Sequence, residues 1–418
     1  KHVSPRIGFA WDPFGNGKTS LRGGFGIFYG SISGNEWNTM TNTQPFSTRL
    51  TFTNINQRTN AQGVPLGASL SNPYNAFVGG NPFPYRGTFV TGGGATVVAS
   101  DFEWPRTYQM NLSLQRQLTK ALTVGAAYVG TLSGKLPFGR DINYPVLTPT
   151  ATSAGANILS RRPNTAFGAV IEIDSDQEAS YHALQVTSAM RMNRKVSFNA
   201  FYTYSKTLSS VQLHNNTTQG LAQNYSKLFL DRGRADTDQR HVFSMNFNYQ
   251  PDYYEGSNAI LRHVLNGWSI SPIIKLRSGL PFTVTNGNVD ANLDGVTNDR
   301  AQLIGDPRID NPTAARWFNT AAFVQNRVVT GVATDGTSPR NVLDGPGFRI
   351  VDLALSRDFN LTERVKLRFR AEATNAFNMV SLGQPGTAVP TGATSATFGV
   401  ITTANAMRRM QFGLRLTF

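Results

Sequence analysis

The sequence predicts an all-β chain: a segment of antiparallel transmembrane β-barrel, about eleven strands long, with long loops on one side and short turns on the other. Three observations predict it. Apolar and polar residues alternate with a period of two over segments of about 10–12 residues, the length a tilted strand needs to cross a bilayer. Soluble strands average about 5–6 residues. Charged residues make up 15% of the 418 residues, and no run of 18 apolar residues supplies a membrane helix. Soluble domains carry about 25% charge. The connections alternate short, long, short, long along the whole chain. Only helices and closed barrels satisfy their backbone in lipid, so a membrane protein of this composition has to be a barrel.

The first strand aligns Ile7, Phe9 and Trp11, and the second aligns Leu21, Phe25, Ile27 and Tyr29. The turn between them contains Gly15-Asn16-Gly17-Lys18-Thr19, which looks like the end of a phosphate loop. Asp12 stands where that loop needs Gly, and a strand follows instead of a helix, so the segment reads as a turn. Residues 31–103 have no sustained period and form a long loop. Its Trp37, Tyr74, Phe83 and Tyr85 suit stacking on a sugar or peptide, or packing of the loop on itself. The third strand sets Tyr108, Met110, Leu112 and Leu114 against Gln109, Asn111, Ser113 and Gln115; the fourth aligns Leu122, Val124, Ala126 and Tyr128. A second long loop is predicted over 132–180.

Strand five aligns Leu184, Val186, Met190 and Met192, turns at Asn193-Arg194, and leads to strand six with Val196, Phe198, Ala200, Tyr202 and Tyr204. A third long loop covers 206–239; His241 at its end, beside Asp238 and Arg240, reads as a loop anchor. Strand seven aligns Phe243, Met245, Phe247 and Tyr249, and strand eight aligns Trp268, Ile270, Ile274 and Leu276. The connection between them, 251–266, is the one on its side that is not tight. A fourth long loop spans 279–347. Strand nine aligns Val351, Leu353, Leu355 and Phe359; strand ten aligns Val365, Leu367, Phe369 and Ala371. A fifth long loop over 378–405 precedes the last strand. There Met410, Phe412, Leu414, Leu416 and Phe418 alternate with Arg409, Gln411, Gly413, Arg415 and Thr417.

That last strand resembles the closing strand of a bacterial outer-membrane β-barrel, whose terminal aromatic serves assembly. On this resemblance Phe412, Leu414, Leu416 and Phe418 form the C-terminal assembly signal. The chain then ends in the periplasm, and every long loop lies outside.

The polar faces carry charge. Lys275, Arg277, Asp352, Arg368, Arg370, Glu372, Arg409 and Arg415 lie opposite the apolar side and are predicted to line the lumen. Substrate passage, plug contact and a wall of paired charges all suit them. Arg116 and Arg357 fall on the apolar side, each near the turn that follows its strand, where a long side chain can snorkel to the interface. The net charge of +14 is scattered along strands and loops with no basic tail. It suits a barrel among anionic lipid and lipopolysaccharide better than a nucleic-acid partner.

One loop carries hard-cation donors. In Asp290-Ala291-Asn292-Leu293-Asp294-Gly295-Val296-Thr297-Asn298-Asp299, oxygen ligands recur at positions 1, 3 and 5, with Gly at 6 and Asn at 9. Position 12 is Ala301, where a calcium loop has a bidentate Glu. Asp290, Asn292, Asp294, Asn298 and Asp299 are therefore candidate calcium ligands, and a turn rich in Asx and Gly is the alternative. No cofactor is required otherwise. There is no Cys, the five His form no HExxH pair, and no GxSxG elbow occurs, so no enzyme is predicted.

Taken together, the chain resembles the C-terminal half of a TonB-dependent outer-membrane transporter or receptor of the Oar-like type. The segments that carry the likeness include Ser4-Pro5-Arg6-Ile7-Gly8-Phe9-Ala10-Trp11, Arg22-Gly23-Gly24-Phe25-Gly26-Ile27-Phe28-Tyr29 and Tyr202-Thr203-Tyr204-Ser205-Lys206. Further on come Leu265-Asn266-Gly267-Trp268, Phe318-Asn319-Thr320-Ala321-Ala322-Phe323 and Arg370-Ala371-Glu372-Ala373-Thr374-Asn375-Ala376-Phe377-Asn378. Each is weak alone; their order and spacing are more specific. The resemblance implies a barrel of about 22 strands, a plug in its lumen, energy delivered through the TonB complex, and insertion by the barrel-assembly machinery. It also implies an N-terminal carboxypeptidase-regulatory-like domain.

Single-chain bacterial barrels have an even number of strands. The odd count predicts that residues 1–418 are the C-terminal part of one barrel domain, with the other barrel half, plug, TonB box and signal peptide outside them. Substrate capture by outer loops and lumen, followed by energised uptake, is the function this implies. A surface adhesin or passive pore on the same barrel is the alternative, and a soluble β-rich polysaccharide binder is a third.

Overall fold

Strands that alternate in polarity and are joined by short turns pair edge to edge in chain order. The computed structural model describes residues 2–31, 34, 38, 40, 91–153, 157–192, 195–210, 222–251, 254–390 and 396–418. Eleven strands form one antiparallel meander there. They are β1 (Arg6–Trp11), β2 (Thr19–Tyr29), β3 (Arg106–Gln117), β4 (Leu122–Asp141), β5 (Phe167–Met192) and β6 (Val196–Ser209). The path continues through β7 (His241–Tyr249), β8 (Trp268–Arg277), β9 (Phe348–Asn360), β10 (Lys366–Thr374) and β11 (Arg409–Thr417). The predicted strand order is the observed one, and β1 and β11 stand at the ends of the path. Two short strands lie off it: Gly93–Val98 runs parallel to β5, and Gly233–Arg234 pairs with β6.

Register decides which side each residue takes. One row runs Trp11–Leu21–Leu114–Ala126–Val186–Tyr202–Phe243–Leu276. Another runs Val196–Tyr249–Ile270–Leu355–Ala371–Phe412. The apolar sets of all eleven strands thus join into one continuous face. The neighbouring row, Ser20–Gln115–Gly125–Thr187–Phe201–Ser244–Lys275, lies on the other side and is mostly polar. Gly23 sits where close approach demands it: a Cβ there would lie 2.3 Å from the Phe9 ring that covers it from the paired strand.

Phe9, Leu112, Leu184, Phe412 and Leu414 on the apolar face are all exposed. A soluble sheet hides such a face under a second layer. Here the larger buried apolar cluster lies in the loops instead, around Phe282, Val284, Phe318 and Phe323. No described helix is long and apolar enough to cross a membrane.

The short turns are built by single side chains. Asp12 accepts from the backbone N–H of Phe14 (3.1 Å) and Gly17 (2.6 Å). The Thr119 and Thr362 hydroxyls each accept from the N–H three residues on, at 3.1 and 3.0 Å. The untight connection contains helix α1 (Ala259–Leu265), capped by Asn258, whose Oδ1 accepts from Ile260 and Leu261 N–H. The Asn193-Arg194 turn and the aromatics Trp37, Tyr74, Phe83 and Tyr85 lie outside the described residues.

Two expectations need correction. About half of the loop predicted over 132–180 is strand: β4 and β5 stay paired out to Asp141 and Ile171. Register shifts between Ser133 and Leu136 and between Leu136 and Phe138, with Lys135 at φ 56°, throw the alternation out of phase, so the sequence shows no period there. Arg357 does not snorkel. Its Nη1 donates to the Val264 carbonyl near the end of α1, and its guanidinium lies 4.3 Å from the Phe359 ring centroid and 5.4 Å from that of Trp268.

Candidate binding surfaces: the outer lobe and the charged wall

The fourth long loop has a core of its own. Residues 279–347 fold on a core of Phe282, Val284, Ala301, Phe318, Ala322, Phe323 and Leu343, joined by Val389 from the last long loop. Phe318 is the centre: its ring lies 5.6 Å from Phe282, 5.7 Å from Phe323 and 5.3 Å from Phe398. The Phe318–Phe323 segment makes a 3₁₀ turn at Thr320–Ala322, which turns Ala322 and both Phe rings inward. Two small sheets, Pro281–Phe282 with Leu343–Asp344 and Gln302–Leu303 with Phe323–Val324, pin the ends.

Around this core the loops are tied by polar bonds, several of them buried. Arg300 pairs with Asp231 of the third loop at 2.5 Å. Arg340 donates to the Ser209 carbonyl at 2.8 Å, at the outer end of β6. Asn341 donates to Asp236 at 2.7 Å, and Arg234 pairs with Asp238 and Asp344, both at 2.7 Å. The expected anchor beside His241 is present: Asp238 accepts from Thr207 N–H at 2.6 Å, His241 N–H donates to Ser278 Oγ at 3.0 Å, and Tyr202 bonds its ring at 2.8 Å. These contacts fix three loops relative to one another, so the outer surface is preorganised.

The Asp290–Asp299 turn is buried within this lobe. Asp290 accepts from Asp294 and Gly295 N–H at 3.0 and 2.9 Å, and Asp294 accepts from Val296 N–H at 2.7 Å and from the Tyr144 hydroxyl at 3.3 Å. Asp299 accepts from Ala291 and Asn292 N–H at 2.6 and 3.2 Å. Asn292 and Asn298 point their amide N–H groups at the Gln223 and Ala222 carbonyls, at 2.6 and 2.7 Å. Among the described residues, no group of three or more His, Cys, Asp or Glu side chains is arranged to hold a metal ion. The Asp290, Asn292 and Asp294 oxygens predicted as calcium ligands accept hydrogen bonds within an Asx-rich turn, while Asp299 Oδ1 and Asn298 Oδ1 have no partner. Leu293 adopts φ 63° here, and Arg161 holds its carbonyl at 2.6 Å. Burial pushes Asp294 up to about 6 and Asp299 up to about 7, and raises Asp290 as well.

The wall is the second surface. Lys275, Arg277, Asp352, Arg368, Arg370, Glu372, Arg409 and Arg415 all fall on the polar side in register. Several are paired: Arg368 holds Asp358 through two bonds of 2.6 and 2.7 Å, Arg370 bonds Glu372, and Lys275 lies 3.9 Å from Asp352. Arg368 and Arg415 sit directly opposite each other, so Asp358 serves a locally cationic stretch. Phe412, Leu414 and Leu416 are on the apolar side, and Phe418 is exposed.

The family model described as an outer membrane beta barrel domain matches residues 1–411. This chain belongs to that family. Among solved structures, the barrel is similar to the outer-membrane transporter YddB of Escherichia coli, at 12% identity and a TM-score of 0.50, over 99% of this chain and 40% of that one. The FrpB iron transporter of Neisseria meningitidis shares 8% identity over 100% of this chain and 39% of that one, with a TM-score of 0.45. The ferripyoverdine receptor of Pseudomonas aeruginosa shares 9% over 99% and 32%, also at 0.45. No curated protein sequence matches. The chain thus spans about two-fifths or less of the neighbours' length, and at this identity the likeness is one of fold. The fold is the barrel that the sequence predicts, and the family places this domain in the outer membrane. Two of these neighbours are transporters and the third is a receptor.

Proposed function

We propose that this barrel is part of a TonB-dependent receptor that captures a solute on its outer lobe and passes it inward along a charged lumen. The observation that carries the reading is where order is invested: the larger apolar core and the buried ion pairs lie in the outer loops. A passive pore needs no rigid cap on its outer loops, whereas a receptor needs one to hold binding groups in place. The eight charges named above would line the route, and pairing among them keeps the wall polar without leaving a strongly attractive trap. Lipid and lipopolysaccharide surround the apolar face; a plug, the TonB complex and the assembly machinery complete the system.

The test uses the full-length protein, purified in detergent. Binding to the soluble periplasmic domain of TonB, together with retention of a small molecule from culture medium that deletion of residues 285–341 abolishes, is the expected result. Steady ion conductance in planar bilayers without any TonB binding would favour a passive pore and overturn the proposal.

A further inference from the structure

A cavity of about 390 Å³ lies inside the outer lobe, and Arg300, Arg340, Asn298, Asp231, Asp236 and Thr387 are among the residues that line it. Both arginines are at least nine-tenths buried, at 4% and 5% exposure. Neither is satisfied. Arg340 spends only Nη2, on Ser209 and Gly233, and its Nε and Nη1 have no hydrogen-bond partner. Arg300 spends Nη1 on Asp231 and Nη2 on the Leu230 carbonyl, and its Nε is unpartnered. Asn298 donates its amide to the Ala222 carbonyl and leaves Oδ1 unpartnered.

Buried guanidinium donors left open are expensive, and native proteins fill such sites with an acceptor. The carboxylates nearby do not serve. Asp231 is taken by Arg300 and the Gln223 N–H, and Asp236 Oδ1 by Asn341. Asp236 offsets the charge of Arg340 through space without bonding it. What remains around one cavity is three sets of open cationic N–H groups and one open carbonyl oxygen. That pattern is complementary to an oxyanion that also carries a hydroxyl group.

We propose that this cavity binds a small hydroxyl-bearing oxyanion, a hydrogen phosphate or a hydroxycarboxylate, with its charged oxygens on Arg340 and Arg300 and its hydroxyl donated to Asn298 Oδ1. The site stands independently of TonB-driven uptake, because it is read by binding alone.

Calorimetry on the full-length protein in detergent, at low salt, with inorganic phosphate and separately with malate, tests it. Saturable binding of one or both is expected, and the stronger arm names the oxyanion. Arg340→Gln should weaken it about 10-fold or more, as loss of charge-assisted bonds does. Thr387→Phe fills the cavity while leaving both arginines in the sequence and should abolish binding, which keeps the test decisive if Arg340→Gln does not fold. No saturable heat from either anion overturns the proposal. So does unchanged affinity in either variant once an intact tryptic pattern shows that the lobe is folded.

Discussion

Arg300 Nη1 donates to Asp231 Oδ1 across 2.5 Å, and both side chains are at most 5% exposed. The two residues come from different long loops, so this bond is one of those that join two loops into one lobe. Burial raises Asp231 above the usual carboxylate range while Arg300 pulls it back. Removing one partner strands the other charge in the interior, at a cost of about 3–5 kcal/mol. Arg300→Met should therefore open the lobe to protease while the wall stays folded. The double variant with Asp231→Leu should recover most of the loss. A single variant as protease-resistant as the wild type would show that the pair does not tie the loops.

The Asp290–Asp299 turn makes the lobe sensitive to pH. Asp294 at about 6 and Asp299 at about 7 stand above their ordinary value of 3.8. Between about pH 4 and 7 the folded lobe holds protons that the unfolded loop has released, so its stability falls as pH rises through that window and is flat above it. Each pKa unit is worth about 1.4 kcal/mol. The lobe should resist protease better at pH 5 than at pH 8, and Asp299→Asn, which keeps an acceptor for the Ala291 and Asn292 N–H groups, should shrink the difference. Greater resistance at pH 8 would refute this.

Calcium is decided by the same assay. A calcium ion would have to displace the backbone N–H groups that already occupy Asp290 and Asp294. No protection by millimolar calcium at pH 8 is expected. Saturable protection that Asp290→Asn removes would establish a calcium site.

Leu112 is 50% exposed on the apolar face, and Ser113 beside it is on the other. If lipid covers the first, Leu112→Arg should lower the stability of the bilayer-folded barrel by about 2–4 kcal/mol. Ser113→Arg should cost far less. Equal effects in a lipid folding titration would mean that the faces are assigned wrongly.

Arg357 lies against Trp268 and Phe359 and caps α1 through Val264. Arg357→Lys keeps the charge and loses the flat stacking surface. A loss of about 1–2 kcal/mol is expected in denaturant unfolding, in keeping with a desolvated cation–π contact. An unchanged midpoint would return Arg357 to the snorkelling role.

Wherever the alternation was unbroken, sequence alone determined the wall. Met410 to Phe418 and Tyr108 to Leu114 follow directly from the sequence because side chains in a strand without bulges alternate faces. The order of the strands followed from short turns that Asp12, Thr119 and Thr362 build locally. The charged face was legible for the same reason. Only the tertiary structure decided the outer lobe. Phe318 and Val389 are far apart in the chain and follow no period, yet they share one core. Arg300, Arg340 and Asn298 belong to no motif, and what marks them is the set of atoms left unbonded after the loops have packed. A strand's face is a local property of the backbone. A cavity and its open donors exist only once distant segments meet, and no reading of local pattern contains that meeting.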